Sequence, residues 1–176
     1  MMMGAQTNAT ESLEILNTAW NEYGVNFCDT AELYPVPTLP QTQGDTDRIV
    51  AQFLKQQGRD KVILSTKVAG RNDKINWLPR AQPESTACLD KQQIVYSVQQ
   101  SLQRLETDYV DLLLLHWPDR HVPIFGSSDW CPDKYEEAPT PVSFGEQLEG
   151  LQQLVQAGMV RYVGVSNETP YGKSGA

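Results

Sequence analysis

Four short apolar runs, each preceded by a segment with helical periodicity, are the feature that most constrains the fold of this chain. The runs begin at Val25, Val62, Tyr109 and Val160, at intervals of 37, 47 and 51 residues. Each interval has room for one helix and its loops, which is the spacing of βα units with parallel strands and right-handed crossovers. The sequence therefore predicts an α/β protein in which helices and strands alternate.

Polar caps and terminal glycines mark the ends of four helices. A side chain that can accept a hydrogen bond precedes an apolar stripe, and a glycine suited to the left-handed conformation follows. The first helix has Asn8 or Thr10 as its cap, the second opens at Asp45 and Thr46, the third has Asp90 with Gln93, and the fourth has Ser143 with Glu146. The first, second and fourth helices end at Gly24, Gly58 and Gly158. In the fourth helix we expect a buried stripe of Leu148, Leu151, Leu154 and Val155.

Composition excludes several classes of partner. The 22 Asp and Glu residues against 14 Lys and Arg leave a formal net charge of -8, which disfavours nucleic acid and anionic lipid. No run approaches the roughly 18 apolar residues of a membrane span, and the first residues do not resemble a signal peptide. Cys28, Cys88 and Cys131 are too few and too widely spaced for a disulfide framework or a zinc site. We expect a cytoplasmic protein with free thiols.

Polar residues follow each apolar run at the point where the predicted strand ends. They are Asp29, Lys67, His116 and the pair Ser166 and Asn167. The carboxyl ends of parallel strands lie along one edge, where active sites form in α/β folds. Each residue alone has an ordinary explanation, such as a turn for Asp29 or a structural ion pair for Lys67. Together they indicate a site at that edge.

Tyr34 adds a proton donor to this set. It comes five residues after Asp29, so the loop can return the phenol over the strand ends. A phenol titrates at about pH 10 unaided, and a nearby ammonium such as that of Lys67 lowers this value. Asp29 can orient Lys67, and His116 can hold a carbonyl oxygen beside the phenol. Such a set is suited to protonating an alkoxide as it forms.

The set contains no obvious nucleophile other than Lys67, so a second reactant must attack the carbonyl carbon. Hydride from a nicotinamide satisfies this need. A Schiff-base lyase that uses Lys67 as nucleophile is an alternative. There is no GxGxxG behind a strand, no complete phosphate loop and no HExxH motif, so we expect neither a Rossmann cofactor site nor a metal site.

Four ordered motifs resemble the successive strand-end signatures of the aldo-keto reductase superfamily. They occupy residues 24–34, 65–68, 111–118 and 163–167. Residues 34–37, 43–44 and 166–169 are more particularly similar to one bacterial subgroup of that family. The resemblance extends from about residue 4 to residue 169.

This resemblance implies a (β/α)8 TIM barrel, NADPH as cofactor, and aldehydes or ketones as the small carbonyl substrate. It implies that Tyr34 is the general acid or base and that Lys67 and Asp29 tune it. It also implies that His116 orients the carbonyl group. These residues are the four catalytic candidates.

The resemblance further implies that Ser166 and Asn167 hydrogen-bond the nicotinamide carboxamide. Trp117 and Trp130 would line the substrate mouth, although an aromatic cluster packed on neighbouring helices is an equal alternative.

The chain is shorter than a whole barrel, which takes about 250 residues. Its 176 residues hold four predicted strands, so we expect one partial barrel domain over residues 1–176, equivalent to the second to fifth strands of the family. The other units would carry most of the cofactor contacts. The strands at Val25 and Val160 would be open edges that favour self-association. A non-catalytic half-barrel that works with a partner is therefore an alternative to an active reductase.

Overall fold

A computed structural model describes residues 1–81, 86–123 and 140–168. In these ranges helices and strands alternate as α1 (Ala9–Tyr23), β1 (Phe27–Asp29), α2 (Asp45–Gln57), β2 (Ile63–Val68), α3 (Lys91–Leu105), β3 (Val110–Leu115), α4 (Phe144–Gln156) and β4 (Val160–Val165). The predicted order is confirmed, and each strand begins within two residues of its predicted start. Among the described residues, no helix is long and apolar enough to cross a membrane.

The strands form one parallel sheet in the order β1-β2-β3-β4. Phe27 pairs with Ile63, and Leu112 pairs with Tyr162. A helix connects each strand to the next, as in successive βα units of a barrel. The architecture is that of a partial TIM barrel.

Local capping sets where the helices begin. Asn8 caps α1 in a complete capping box with Glu11. Asp90 and Ser143 cap α3 and α4 through the backbone N–H three residues later. Neither α3 nor α4 makes the predicted return bond. The side-chain oxygen of Gln93 accepts from the backbone N–H of Cys88 instead, and Glu146 Oε1 accepts from the backbone N–H of Lys91. The sequence therefore located the caps correctly but not every partner.

The hydrophobic core lies between the sheet and the row of helices. Alternation along β2 and β3 turns one set of side chains toward the helices. The core combines strand residues with α2, α3 and α4, including Leu64, Val68, Leu113, Leu115, Val50, Phe53, Ile94, Val98, Leu151 and Leu154.

The predicted buried stripe of α4 is only half correct. Leu151 and Leu154 are buried, but Leu148 is 60% exposed and Val155 is 41% exposed. Within the described residues α4 packs against α3 and the sheet and is the last helix of the row. The flank that carries Leu148 and Val155 consequently has no neighbouring helix there.

The opposite face of the sheet is partly open. Phe27, Ile63 and Tyr162 are exposed by 49%, 41% and 72%. The register and the two-residue alternation place Lys67 on this same face, two positions beyond Ser65. In a closed barrel this face would line the interior.

Candidate active site

The parallel register brings the predicted site residues to one end of the sheet. Asp29 ends β1 and pairs with Ser65, and Lys67 pairs with Leu114. His116 follows β3 directly and donates its backbone N–H to the carbonyl of Val68, 2.8 Å away. The carboxyl ends of β1, β2 and β3 are thus held side by side.

Lys67 is the most buried charged group of this set. Its side chain is 7% exposed, whereas that of Asp29 is 47% exposed. Lys67 Nζ donates to Asp29 Oδ2 at 2.5 Å and to the carbonyl oxygen of Thr30 at 2.9 Å. A buried ammonium needs both a counter-charge and hydrogen-bond acceptors, and the β1 loop supplies them.

Tyr34 lies over this ion pair. Lys67 Nζ is 5.1 Å from the centroid of the Tyr34 ring. The ring meets that of His116 edge-on, with centroids 5.9 Å apart and an angle of 78° between the planes. The backbone of the loop is fixed on either side of the ring, since Tyr34 N–H donates to the carbonyl of Ala31 and Gly44 N–H donates to that of Tyr34. The structure thus brings the four catalytic candidates together.

His116 is uncharged at neutral pH. Burial, together with the positive charge of Lys67, lowers the pKa of its imidazole from 6.5 to about 4. Its Nδ1 is buried and makes no hydrogen bond within the described residues. A neutral imidazole keeps one N–H donor and one acceptor nitrogen for a ligand.

Ser166 and Asn167 follow β4 and lie beside His116. Asn167 Nδ2 donates to the carbonyl oxygen of His116 at 2.8 Å and to Ser166 Oγ at 3.1 Å. Asn167 has a positive φ of 52°, which asparagine tolerates better than most residues. Asn167 is exposed and Ser166 is half-buried, so neither residue is enclosed by the fold.

Trp117 does not lie at an open mouth. It is 3% exposed, its ring centroid is 4.9 Å from that of His116, and its indole N–H donates to the carbonyl of Arg71. Trp130 lies outside the described residues.

A cavity of about 160 Å³ lies between the ends of β3 and β4 and the start of α4. Trp117, Val142, Phe144 and Ser166 are among the residues that line it.

A buried ion pair that the sequence motifs do not indicate lies beside the site. Glu32, in the loop between Asp29 and Tyr34, bonds to Arg80, and their side chains are 4% and 2% exposed. The available signal was an acidic residue in an otherwise small and apolar loop. Its partner is 48 residues away, which no local pattern indicates.

The described residues contain no candidate cluster of metal ligands. Within residues 1–81, 86–123 and 140–168 no group of three or more His, Cys, Asp and Glu side chains is arranged to hold a metal ion.

The model of the aldo/keto reductase family matches residues 1–172 of the chain. The chain belongs to this family. Among curated relatives of this chain, the protein tas of Escherichia coli is 37% identical over 98% of the chain and 48% of its own length. The aldo-keto reductase YhdN of Bacillus subtilis is 32% identical over 94% of the chain and 39% of its own length. The chain thus spans about half the length, or less, of these relatives.

A solved structure supports the same conclusion for the fold. An aldo-keto reductase from Bacillus halodurans, in its holo form, is similar with a TM-score of 0.64 and 28% sequence identity. The match covers 96% of this chain and 45% of that protein. The predicted family, its bacterial subgroup and the TIM-barrel fold class are therefore confirmed.

Proposed function

We propose that this chain carries the proton-donating groups of an NADPH-dependent reductase of aldehydes and ketones. The observation that supports this most directly is the buried Lys67, bonded to Asp29 and 5.1 Å from the Tyr34 ring. The family supports oxidoreductase chemistry. The choice of NADPH and of carbonyl substrates follows from the resemblance and from the absence of another suitable nucleophile in the set.

Each residue of the site has a separate role in the protonation of the substrate. NADPH, when bound, supplies the hydride that reduces the carbonyl carbon and becomes NADP⁺. The Tyr34 hydroxyl transfers its proton to the carbonyl oxygen, which completes the alcohol, and the Lys67 ammonium stabilises the phenolate that remains. Asp29 keeps Lys67 in place. Neutral His116 hydrogen-bonds the carbonyl oxygen without adding a charge.

Residues at the end of β4 fit one end of such a cofactor. The hydroxyl of Ser166 and the amide of Asn167 can complement the donors and acceptor of a carboxamide. The buried Nδ1 of His116, which makes no hydrogen bond within the described residues, is the kind of atom that a bound ligand satisfies. We assign the nicotinamide contact to Ser166 and Asn167. We assign the remaining cofactor contacts to other βα units of a complete barrel.

Tyr34→Phe tests the proposed function. Loss of the hydroxyl removes the proton donor, so kcat for NADPH-dependent aldehyde reduction should fall roughly 10²–10⁴-fold while the circular dichroism spectrum is unchanged. The matched control is Tyr96→Phe, because Tyr96 is an exposed tyrosine on α3. Loss of nicotinamide absorbance measures the rate. Equal rates for the wild type and Tyr34→Phe would refute the proposal.

The contacts of Lys67 favour a reductase over a Schiff-base lyase. Nζ donates to a carboxylate and to a carbonyl oxygen, an arrangement that suits an ammonium rather than a nucleophilic amine with a free lone pair. Borohydride reduction in the presence of an aldehyde should therefore leave Lys67 unmodified. Trapping of the aldehyde on Lys67, detected by mass spectrometry, would favour the lyase instead.

The open face of the sheet favours a role for a second protein surface in cofactor binding. Exposed Phe27, Ile63 and Tyr162 lie on the face that a closed barrel would bury. We propose that the 176-residue chain by itself binds NADPH weakly, because its sheet encloses only part of a barrel interior. A fluorescence titration measures this. Tight binding by a monomer would contradict it.

A cytoplasmic location is part of the same proposal. Cys28 and Cys88 are free and buried, and burial raises the pKa of each thiol to about 11. Unpaired thiols are usual in a reducing compartment. Cys131 lies outside the described residues.

A further inference from the structure

The stretch from Thr30 to Leu33, which leads to Tyr34, is buried throughout, although it contains an acidic residue. Thr30, Ala31, Glu32 and Leu33 are each 3% exposed or less. Glu32 is a carboxylate placed in the chain between the catalytic candidates Asp29 and Tyr34. None of the roles assigned above uses it.

The Glu32 backbone joins this loop to the strand that carries Lys67. Its N–H donates to the carbonyl of Lys67 at 3.1 Å. Its own carbonyl accepts from Gln43 Nε2 at 2.6 Å. The first bond holds the loop against β2 at the position of Lys67 itself, and the second holds it to the segment that leads into α2.

The Glu32 side chain makes a second connection just beyond Lys67. Oε1 accepts from the backbone N–H of Ala69 at 2.6 Å and from Arg80 Nη2 at 2.8 Å. Oε2 accepts from Arg80 Nε at 3.2 Å and from Ser97 Oγ at 2.5 Å. Burial opposes the charged form, but Arg80 and the hydrogen bonds from Ser97 and Ala69 outweigh it and hold the pKa of Glu32 below its usual value.

Arg80 extends the connection to the start of α3. Its Nη2 also donates to the carbonyl of Ala69 at 2.6 Å. Its Nη1 donates to the carbonyl of Cys88 and to Gln93 Oε1. The Arg80 guanidinium thus bridges the Glu32 loop, the end of β2 and the cap of α3. A lysine could not make this set of directed bonds.

We infer that the Glu32–Arg80 pair is a positioning device that holds the Tyr34 loop against the end of β2 and thereby sets the placement of Tyr34 over Lys67. Glu32 bonds on both sides of Lys67, through the Lys67 carbonyl and the Ala69 N–H. A shift of the loop would also withdraw the Thr30 carbonyl from Lys67 Nζ. This inference rests on the proposed roles of Tyr34 and Lys67.

The chain contains a matched control for this pair. Asp111 accepts from Arg59 Nη2 at 2.8 Å and from the backbone N–H of Leu64 at 2.9 Å. It is therefore also a carboxylate that bonds an arginine and a β2 backbone amide, but near the opposite end of β2. Asp111 additionally pairs with the half-exposed Arg161.

The experiment compares two double variants with the wild type. The first is Glu32→Met with Arg80→Met, which removes both charges and leaves neither one buried alone. The control is Asp111→Leu with Arg59→Met. Ser97→Ala is a milder third variant, because it removes one hydrogen bond to Glu32 and keeps both charges.

The main measurement is the rate at which acetic anhydride labels Lys67, followed by mass spectrometry. The surface residue Lys55 serves as the reference within each protein. We expect Lys67 labelling to rise about tenfold in the Glu32→Met, Arg80→Met variant and about threefold in Ser97→Ala, because the loop opens locally. The control variant should label Lys67 at the wild-type rate, whatever its midpoint of urea unfolding.

Two results would overturn the inference. One is an unchanged Lys67 labelling rate in the Glu32→Met, Arg80→Met variant and in Ser97→Ala. The other is an equal rise in the control variant, which would show that any buried ion pair has this effect. If the first variant does not fold, Ser97→Ala compared with the control decides the question alone.

Kinetics separate this inference from the proposed function. In an active protein the first variant should lower kcat by about 10- to 100-fold with little change in KM, because the proton donor is misplaced rather than lost. If Tyr34→Phe leaves the activity unchanged, the proposed function fails. The labelling of Lys67 still tests the positioning by Glu32 and Arg80, since it needs no turnover.

Discussion

At the scale of single residues, the environment of His116 determines its charge. Burial disfavours the imidazolium, and the nearby Lys67 ammonium disfavours it further, whereas the carboxylates of Glu32 and Asp29 favour it. The first two effects prevail, so the pKa falls to about 4. The site thus combines a buried cation with a neutral ring, which is the charge state the proposed carbonyl contact requires.

This lowered pKa predicts a loss of stability in acid. The unfolded chain protonates His116 near pH 6.5 and the folded chain only near pH 4. Between these values the unfolded state binds more protons, so His116 destabilises the fold as the pH drops from 6.5 toward 4. Between neutral pH and about pH 4.5, the free energy of unfolding of the wild type should fall by about 2–3 kcal/mol more than that of His116→Gln. Urea unfolding measures both proteins, and equal losses would contradict the shift.

At the scale of elements, the loops after β2 and β3 approach so closely that one position admits only glycine. A Cβ on Gly70 would lie 2.4 Å from the carbonyl oxygen of Trp117 and 2.7 Å from that of Pro118. Backbone atoms cannot rotate away as side chains can. The contact keeps the residues after β3, and with them His116, against the end of β2.

Gly70→Ala should therefore destabilise the protein by about 1–3 kcal/mol through overpacking. The matched control is Gly145→Ala in the first turn of α4. There a Cβ meets only Ser143 Oγ, 3.9 Å away, and alanine should stabilise the helix by up to about 1 kcal/mol. Thermal unfolding of both variants measures whether each substitution lowers or raises the stability of the protein. A Gly70→Ala protein as stable as the wild type would show that the loops can separate at little cost.

At the scale of the whole molecule, exposed apolar side chains concentrate at the two ends of the α/β row. Ile15, Tyr23 and Phe27 are exposed at the α1 and β1 end, and Leu148, Val155, Tyr162 and Val163 at the α4 and β4 end. β1 and β4 are the edge strands of the described sheet. Unpaired strand edges beside apolar surface are sites where another chain can add.

We expect the purified 176-residue chain to self-associate through these edges. Its weight-average mass in sedimentation equilibrium should rise above 19.7 kDa with concentration. Val163→Lys places a charge on the exposed part of β4 and should lower that mass at a given concentration. Tyr96→Lys changes an exposed residue on the interior helix α3 and should have no effect. A monomer at all concentrations would refute the expectation.

Local patterns in the sequence determined the element order, the caps at Asn8, Asp90 and Ser143, and the strand-end positions of Asp29, Lys67 and His116. Periodicity and capping act within one or two turns of a helix or along one strand, so a single segment contains the whole signal. The four strand-end motifs likewise identify the family from the sequence alone.

Only the tertiary structure decided which distant groups meet. Nothing near Glu32 in the chain indicates Arg80, and the periodicity of α4 could not show that Leu148 and Val155 face away from α3. Pairing of a buried charge depends on which segments pack together, and burial of an apolar side chain depends on whether a neighbouring element exists. Both are properties of the assembled sheet and helices rather than of any one segment.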